Sequence, residues 1–310
     1  MLFNLRIVNY ELIIVRYGEI ALKGKETRKH FESILVRNIK FALGKNYIIN
    51  RTEREWGRIY VYTDQVEKSL LVLKKIFGVT SVSPAIQTSS DIKSISKLAV
   101  EVSRGELRGG KTFAIRATRT GKHDFTSQDV AVQIGSDIVK ATKAIVNLTK
   151  PDFELFIEIR NDKAFVFTEK IRGMGGMPVG SQGRILALVD SPYSVLAAWY
   201  LIRRGCNVTF IITKESLRDI LCSFADNWYI ESDVYKVESG KTIFETLNKI
   251  ASEKKCDAMV TSHNILNNSK KTLSDIKMFK KHVNFPVLHP LIAMDIQEID
   301  NKCKEIGIPI

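Results

Sequence analysis

The sequence predicts a chain of mixed α/β and α+β class built from three successive units. Three observations carry this expectation. Residues 11–76 read as strand, helix, strand, strand, helix, the order of a ferredoxin-like sandwich. Residues 81–170 give a second α+β pattern that ends in a strand pair turning at Asn161-Asp162, a dipeptide suited to hairpins. Beyond residue 184, short apolar runs alternate with amphipathic segments, the pattern of a parallel sheet covered by helices.

In the first unit, residues 11–17 form an apolar strand. The segment Gly18-Glu-Ile-Ala-Leu-Lys-Gly24-Lys25 leads into a basic helix over 26–43, with Phe31, Ile34, Leu35, Ile39 and Leu43 near helical spacing. Strands at 47–54 and 58–62 turn at Trp56-Gly57, and a helix over 66–76 closes the unit. The second unit begins near Gly78. It contains a strand at 81–86, a helix at 91–104, a strand at 112–116, a loop at 117–126 and a helix at 127–141 capped by Thr126 or Ser127. Strands at 153–160 and 163–170 complete it. Residues 172–183, rich in glycine, read as a flexible linker. The third unit has strands at 185–189, 208–212, 258–262 and 287–288, a helix at 195–204 ended by Gly205, and a last helix at 296–306.

Composition bounds the function. The net charge of +13 favours a polyanionic partner, of which nucleic acid is the commonest. No apolar run reaches the roughly 20 residues that span a bilayer, and the first residues lack the pattern of a secretion signal. Cys206, Cys222, Cys256 and Cys303 are scattered without CxxC spacing, so a cytoplasmic, reducing location is expected rather than a disulfide or zinc framework. The five histidines show no metal-ligand spacing.

The stretch from Ile185 to Ile212 is strand, turn, helix, strand, a unit that places phosphates at a helix N-terminus. Such a turn uses glycines to bring backbone amides to the phosphate. Here it reads Asp190-Ser-Pro-Tyr-Ser194. Pro192 removes a donor, and Asp190 puts a carboxylate where the phosphate would sit. Ser239-Gly240-Lys241-Thr242 ends like a phosphate-binding loop, but it lacks the first glycine and a preceding strand. Cys256 lies beside Lys254 and Lys255, which would favour its thiolate; an ordinary half-buried cysteine fits the same pattern.

Three segments carry a family resemblance: Ile14-Val-Arg-Tyr-Gly-Glu-Ile-Ala-Leu-Lys-Gly-Lys25, residues 168–183, and Ala197-Ala-Trp-Tyr-Leu-Ile-Arg-Arg-Gly-Cys206. They resemble the tRNA 4-thiouridine sulfurtransferase family (ThiI). The resemblance implies an N-terminal ferredoxin-like domain (1–77), a THUMP RNA-binding domain (78–171), a linker (172–183) and a PP-loop ATP pyrophosphatase-like domain (184–310). The family's Ser-Gly-Gly-x-Asp-Ser loop falls on Val189 to Ser194, where only Ser194 is retained. Its next nucleotide segment falls on Thr261 to Lys271, where its glycines become Ser262 and Leu266. Its sulfur-carrying cysteine helix falls on 238–249, which has no cysteine.

The resemblance therefore implies a degenerate nucleotide site at Ala187, Leu188, Ser194, Ile212, Thr213, Ser262 and Lys271, with no catalytic or metal-ligating residue assigned. The residues fix no cofactor; ATP with Mg is what the family implies. RNA-facing candidates are Lys111, Arg116, Arg119, Lys122 and His123, whose cationic heads suit phosphates, and a second group at Arg16, Lys23, Lys25, Arg28 and Lys29. A solvated charged surface would look the same. The implied partners are tRNA, with a homodimer and a cysteine desulfurase or separate sulfur carrier as further candidates, and no membrane.

The expected function is tRNA binding, related to ATP-dependent 4-thiouridine formation at tRNA position 8 but without complete catalysis by this chain. One alternative is an active sulfurtransferase, serving tRNA and thiamine thiazole synthesis through a rearranged ATP site. A second is a protein-interaction or dimerisation module.

Overall fold

In the computed structural model, alternation along the strands sends successive side chains to opposite faces of each sheet. The structure describes residues 10–107, 110–237, 242–265 and 269–310, without the side chains of 269–271. Lys241 and Leu266, and the side chain of Lys271, lie outside the described residues. The chain divides into two units. One holds residues up to Tyr17, Leu43–Lys74 and Val79–Gly173; the other holds Gly18–Ala42, Lys75–Gly78 and Met174–Ile310.

The elements up to residue 172 are β1 (Leu12–Tyr17), α1 (Lys25–Lys45), β2 (Arg51–Glu55), β3 (Arg58–Tyr62), α2 (Val66–Leu73), β4 (Val79–Ser89), α3 (Ile92–Glu106), β5 (Thr112–Thr120), α4 (Ser127–Thr142), β6 (Ile145–Val146), β7 (Phe153–Arg160), β8 (Lys163–Phe167) and β9 (Ile171–Arg172). In the first unit the strands run β2-β3-β1-β4-β8-β7-β5-β6, with β9 beside β4. The expected ferredoxin-like unit and the α+β unit that follows it thus share a strand. β4 pairs with β1 from Leu12↔Ala85 to Tyr17↔Val79 and with β8 from Ile86↔Val166 to Ser89↔Lys163.

In β7, Leu155, Ile157 and Ile159 join α3 and α4 in one core, while Phe156 packs with Leu12, Tyr60 and Phe165 on the other face. Asp91 caps α3 by accepting from the Ser94 amide, and Thr126 and Asp129 form a reciprocal box at the start of α4. β5 runs on to Thr120, so Arg119 stands on a strand rather than in the expected loop. Parallel pairing with β7, from Phe113↔Phe153 to Thr120↔Arg160, extends it past residue 116. β8 stops at Phe167, short of the expected residue 170.

In the second unit, β10 (Arg184–Val189), α5 (Pro192–Arg203), β11 (Asn207–Ile212), α6 (Arg218–Trp228), β12 (Asp233–Lys236), α7 (Ile243–Glu253), β13 (Ala258–Val260), α8 (Ser269–His282), β14 (Val287–Leu288) and α9 (Ile296–Ile306) follow in order. The sheet order is β12-β11-β10-β13-β14, and every pairing is parallel. Ile185, Ala187 and Val189 enter one core with Trp199, and Leu186 and Leu188 enter another with Ile211 and Met259. Both faces of β10 are covered, which explains its uninterrupted apolar run.

The expected flexible linker is instead packed backbone. The Met177 amide donates to Arg203 O at 2.9 Å, and the Gly180 and Gln182 amides donate to Gly205 O at 2.9 and 3.0 Å. A Cβ on Gly176 would lie 2.2 Å from Arg203 O. Glycine here permits close backbone approach, and it does not signal looseness. Residues 174–183 therefore belong with the second unit.

Candidate functional site

A groove of about 610 Å³ opens on the first unit, lined by residues of β1, β3, β4, β5, α4, β7 and β8 and by Lys170. At its wall Glu158, from the polar face of β7, holds three guanidinium groups. It accepts from Arg58 Nε at 2.7 Å, Arg16 Nη2 at 3.2 Å and Arg160 Nη1 at 3.2 Å. Arg16 also donates to Ser83 Oγ at 2.8 Å, and Arg160 donates to Trp56 O. Burial alone would raise the Glu158 carboxyl, but Arg58 and Arg16 outweigh it and hold it below its ordinary value. Burial lowers the Arg16 guanidinium, opposed by Glu158. Phe156 and Phe167 stack at 5.2 Å, with the Lys170 ammonium 4.2 Å from the Phe156 centroid. Burial, then neighbouring Arg16, lowers Lys170.

Arg116 reaches the same groove. Its guanidinium donates to Glu154 Oε1 at 2.8 Å and to Leu148 O at 2.9 Å, and it stays partly exposed. Arg119 donates to Gly121 O at 3.2 Å and lies 3.4 Å from His123 Nδ1. His123 Nε2 donates to Asn161 O at 2.6 Å, which assigns its proton to that nitrogen. Lys111 and Lys122 are exposed in the same unit.

The second basic group is divided between the two units. Arg16 belongs to the first unit, where its guanidinium donates to Glu158. Lys23, Lys25, Arg28 and Lys29 belong to the second unit. There Arg28 faces Glu32 at 3.9 Å and Lys29 faces Glu26 at 3.5 Å.

In the second unit β10 is central, with β11 on one side and β13 on the other. The chain order switches there, and ligands of open α/β sheets bind beyond the carboxyl ends of such strands. The groups at that point are polar. Ser194 Oγ donates to Asp190 Oδ1 at 2.6 Å and accepts from the Asp190 amide at 3.3 Å. Ser262 Oγ donates to the same carboxylate oxygen at 3.3 Å and lies 3.1 Å from Ser194 Oγ.

Beside them, Thr261 Oγ1 lies 2.6 Å from His263 Nδ1 and 2.7 Å from His289 Nδ1. Burial lowers both imidazoles. Of the other residues expected to bind nucleotide, Ala187, Leu188 and Ile212 are core, and Thr213 donates its amide to Val189 O at 3.1 Å. Among the described residues, no group of three His, Cys, Asp or Glu could hold a metal ion, and no helix is long and apolar enough to cross a membrane.

Comparison with known proteins decides the family. Residues 12–83 match the ThiI ferredoxin-like domain, 89–169 the THUMP domain, and 233–309 the thiamine biosynthesis protein ThiI. A probable tRNA sulfurtransferase of Methanobrevibacter smithii is 34% identical over 97% of this chain and 87% of its own length. The chain belongs to the ThiI tRNA sulfurtransferase family.

A Methanothermobacter thermautotrophicus ThiI relative, also a probable tRNA sulfurtransferase, is 33% identical over 97% of the chain and 86% of its own length. A solved 4-thiouridine synthetase–RNA complex with bound ATP superposes with TM-score 0.83 at 28% identity, over 96% of this chain and 85% of that one. PH1313 of Pyrococcus horikoshii superposes with TM-score 0.83 at 27% identity, over 96% and 99% of the two chains.

Among the described residues, the β10–α5 turn offers few convergent donors for the triphosphate that the ThiI fold implies. A phosphate needs several convergent donors. In this ThiI chain the Asp190 amide goes to Ser194 Oγ, the Ser194 amide goes to Ser191 O at 3.1 Å, and Pro192 has none to give. The Glu158 cluster and Lys170 went unnoticed in the sequence. The inward charged face of β7, Glu158 and Arg160 alternating with Ile157 and Ile159, was the available signal.

Proposed function

We propose that this ThiI-family chain binds tRNA through the basic groove of its THUMP-containing unit and does not by itself carry out ATP-dependent sulfur transfer. The observation that carries the reading is the groove, where Arg116 and Lys170 meet paired aromatic rings. Arg116 lines the groove; Arg119, three positions on and so on the other face of the strand, extends the basic surface with Lys111 before the strand and Lys122 after it. Each neutralised phosphate releases counterions, so four such contacts give a salt slope of roughly −3 to −4. Glu158 keeps Arg16 and Arg58 fixed as a rigid cationic wall, and Glu154 orients Arg116. The 4-thiouridine synthetase–RNA neighbour supports tRNA as the partner class, and its bound ATP leaves a second reading in view: a working sulfurtransferase with a rearranged nucleotide site. The filled turn at Asp190 favours the first.

The test is a mobility-shift titration of the full chain with a tRNA transcript over a range of salt, beside calorimetric titration with ATP. Steeply salt-dependent tRNA binding without micromolar ATP binding is expected. Salt-insensitive or absent tRNA binding overturns the RNA reading, and formation of 4-thiouridine by the purified chain overturns the second half.

A further inference from the structure

We infer that the Asp190 carboxylate is a built-in anion that takes the place of a bound phosphate and fastens the β10–α5 turn to the chain leaving β13. This rests on the reading that the switch-point site does not hold nucleotide. A bound oxyanion at such a point would draw hydroxyls and amides from more than one element. Asp190 Oδ1 does this with side chains: it accepts from Ser194 on α5 at 2.6 Å and from Ser262 beyond β13 at 3.3 Å.

The geometry closes on itself. Ser194 Oγ accepts the Asp190 amide at 3.3 Å while donating to the Asp190 carboxylate, so one hydroxyl and one amide of the turn are consumed within the Asp190–Ser194 pair. The helix end needs a negative charge for its own reasons. α5 has no acidic residue in its first turn, and Ser191 at its N-cap makes no side-chain capping bond. Asp190, one residue earlier, supplies the charge that the N-terminal amides and their dipole attract. An incoming phosphate would meet a like charge and find the Asp190 amide and the Ser194 hydroxyl engaged. The loss of the glycines and the gain of Asp190 are thus one change: the turn no longer recruits an anion from solution because it carries its own.

The experiment uses the full chain and inorganic pyrophosphate as the probe, read by calorimetry and by the shift in thermal midpoint. Asp190→Ala and Asp190→Gly should bind pyrophosphate at least about tenfold more tightly than the wild type, with a midpoint that rises as pyrophosphate is added. Ser262→Ala keeps the carboxylate and should gain nothing. Asp190→Asn, similar in shape and neutral, should also gain binding and covers the case in which the smaller side chains do not fold. The inference falls if folded Asp190 variants bind no better than wild type, or if Ser262→Ala gains as much as they do, since general loosening would then be the cause. If the wild type itself binds pyrophosphate as tightly as the variants, both this inference and the nucleotide half of the proposed function fall. An inert wild type with inert variants removes the inference alone.

Discussion

Glu158→Gln tests whether the groove wall is held by charge. The side chain is 6% exposed, Arg16 and Arg160 are 11% and 8% exposed, and Arg58 is 25% exposed, so water screens Arg58 partly and the rest of the cluster little. At an effective dielectric of 20, the Arg58 contact at 2.7 Å is worth about 6 kcal/mol of gross attraction. Desolvation of all four groups offsets most of such attraction. Removing one partner, however, strands charges that were already buried, and this typically costs about 3–5 kcal/mol. A neutral amide at 158 would leave three guanidinium groups facing one another.

Native-state hydrogen exchange of the β7 amides reports the opening free energy of this unit. It should fall by about 3 kcal/mol or more in the variant. The pH dependence has a definite sign. The folded Glu158 carboxyl lies below its ordinary 4.5, so its contribution is complete above about pH 4.5 and is lost as pH falls through the lower folded value. A loss under about 1 kcal/mol, or wild-type protection that does not weaken in acid, refutes the argument.

Arg116→Ala with Arg119→Ala should weaken tRNA binding and reduce the salt slope by about 2, measured by anisotropy against salt; Glu154→Gln, which frees Arg116 of its 2.8 Å partner, should strengthen binding. Phe77 stacks on Trp228 at 5.3 Å and meets Trp199 edge-on at 5.9 Å. Its replacement by Ala should cost about 3–5 kcal/mol in urea unfolding followed by tryptophan fluorescence, and a cost under about 1 kcal/mol would show the stack to be incidental. Cys222 is exposed, whereas burial pushes Cys303 up to about 11 and raises Cys206 and Cys256. Maleimide at neutral pH should therefore label one thiol fast, and Cys222→Ser should remove that phase.

Long periodic segments were legible in the sequence because burial writes them directly. The helix over Ile296–Ile306 and the strand over Phe153–Arg160 stand where apolar spacing put them. Not every short, charged element was legible. β12 is Asp-Val-Tyr-Lys, and only its parallel pairing with β11 makes it a strand. Glycines 175, 176 and 180 suggested looseness, because sequence cannot separate freedom from close approach. The pairing of Arg16 with Glu158, 142 positions away, lies beyond any local pattern. The polar turn at Asp190 was legible as a defect. That Ser262 completes it depends on β13 lying beside β10.

The sharing of β4 has a consequence for synthesis. Its first half can pair with β1 as soon as it leaves the ribosome, since both sides of that contact already exist. Its second half waits for β8, and the pairing of Ser89 with Lys163 comes on the order of 4–15 s later at ordinary elongation rates. For that interval Ile86 to Ser89 form an open strand end on a nascent chain, able to recruit a neighbour's strand. The helices α3 and α4 emerge during the same interval, but the strand that covers this edge, β8, is the last of that group to be made.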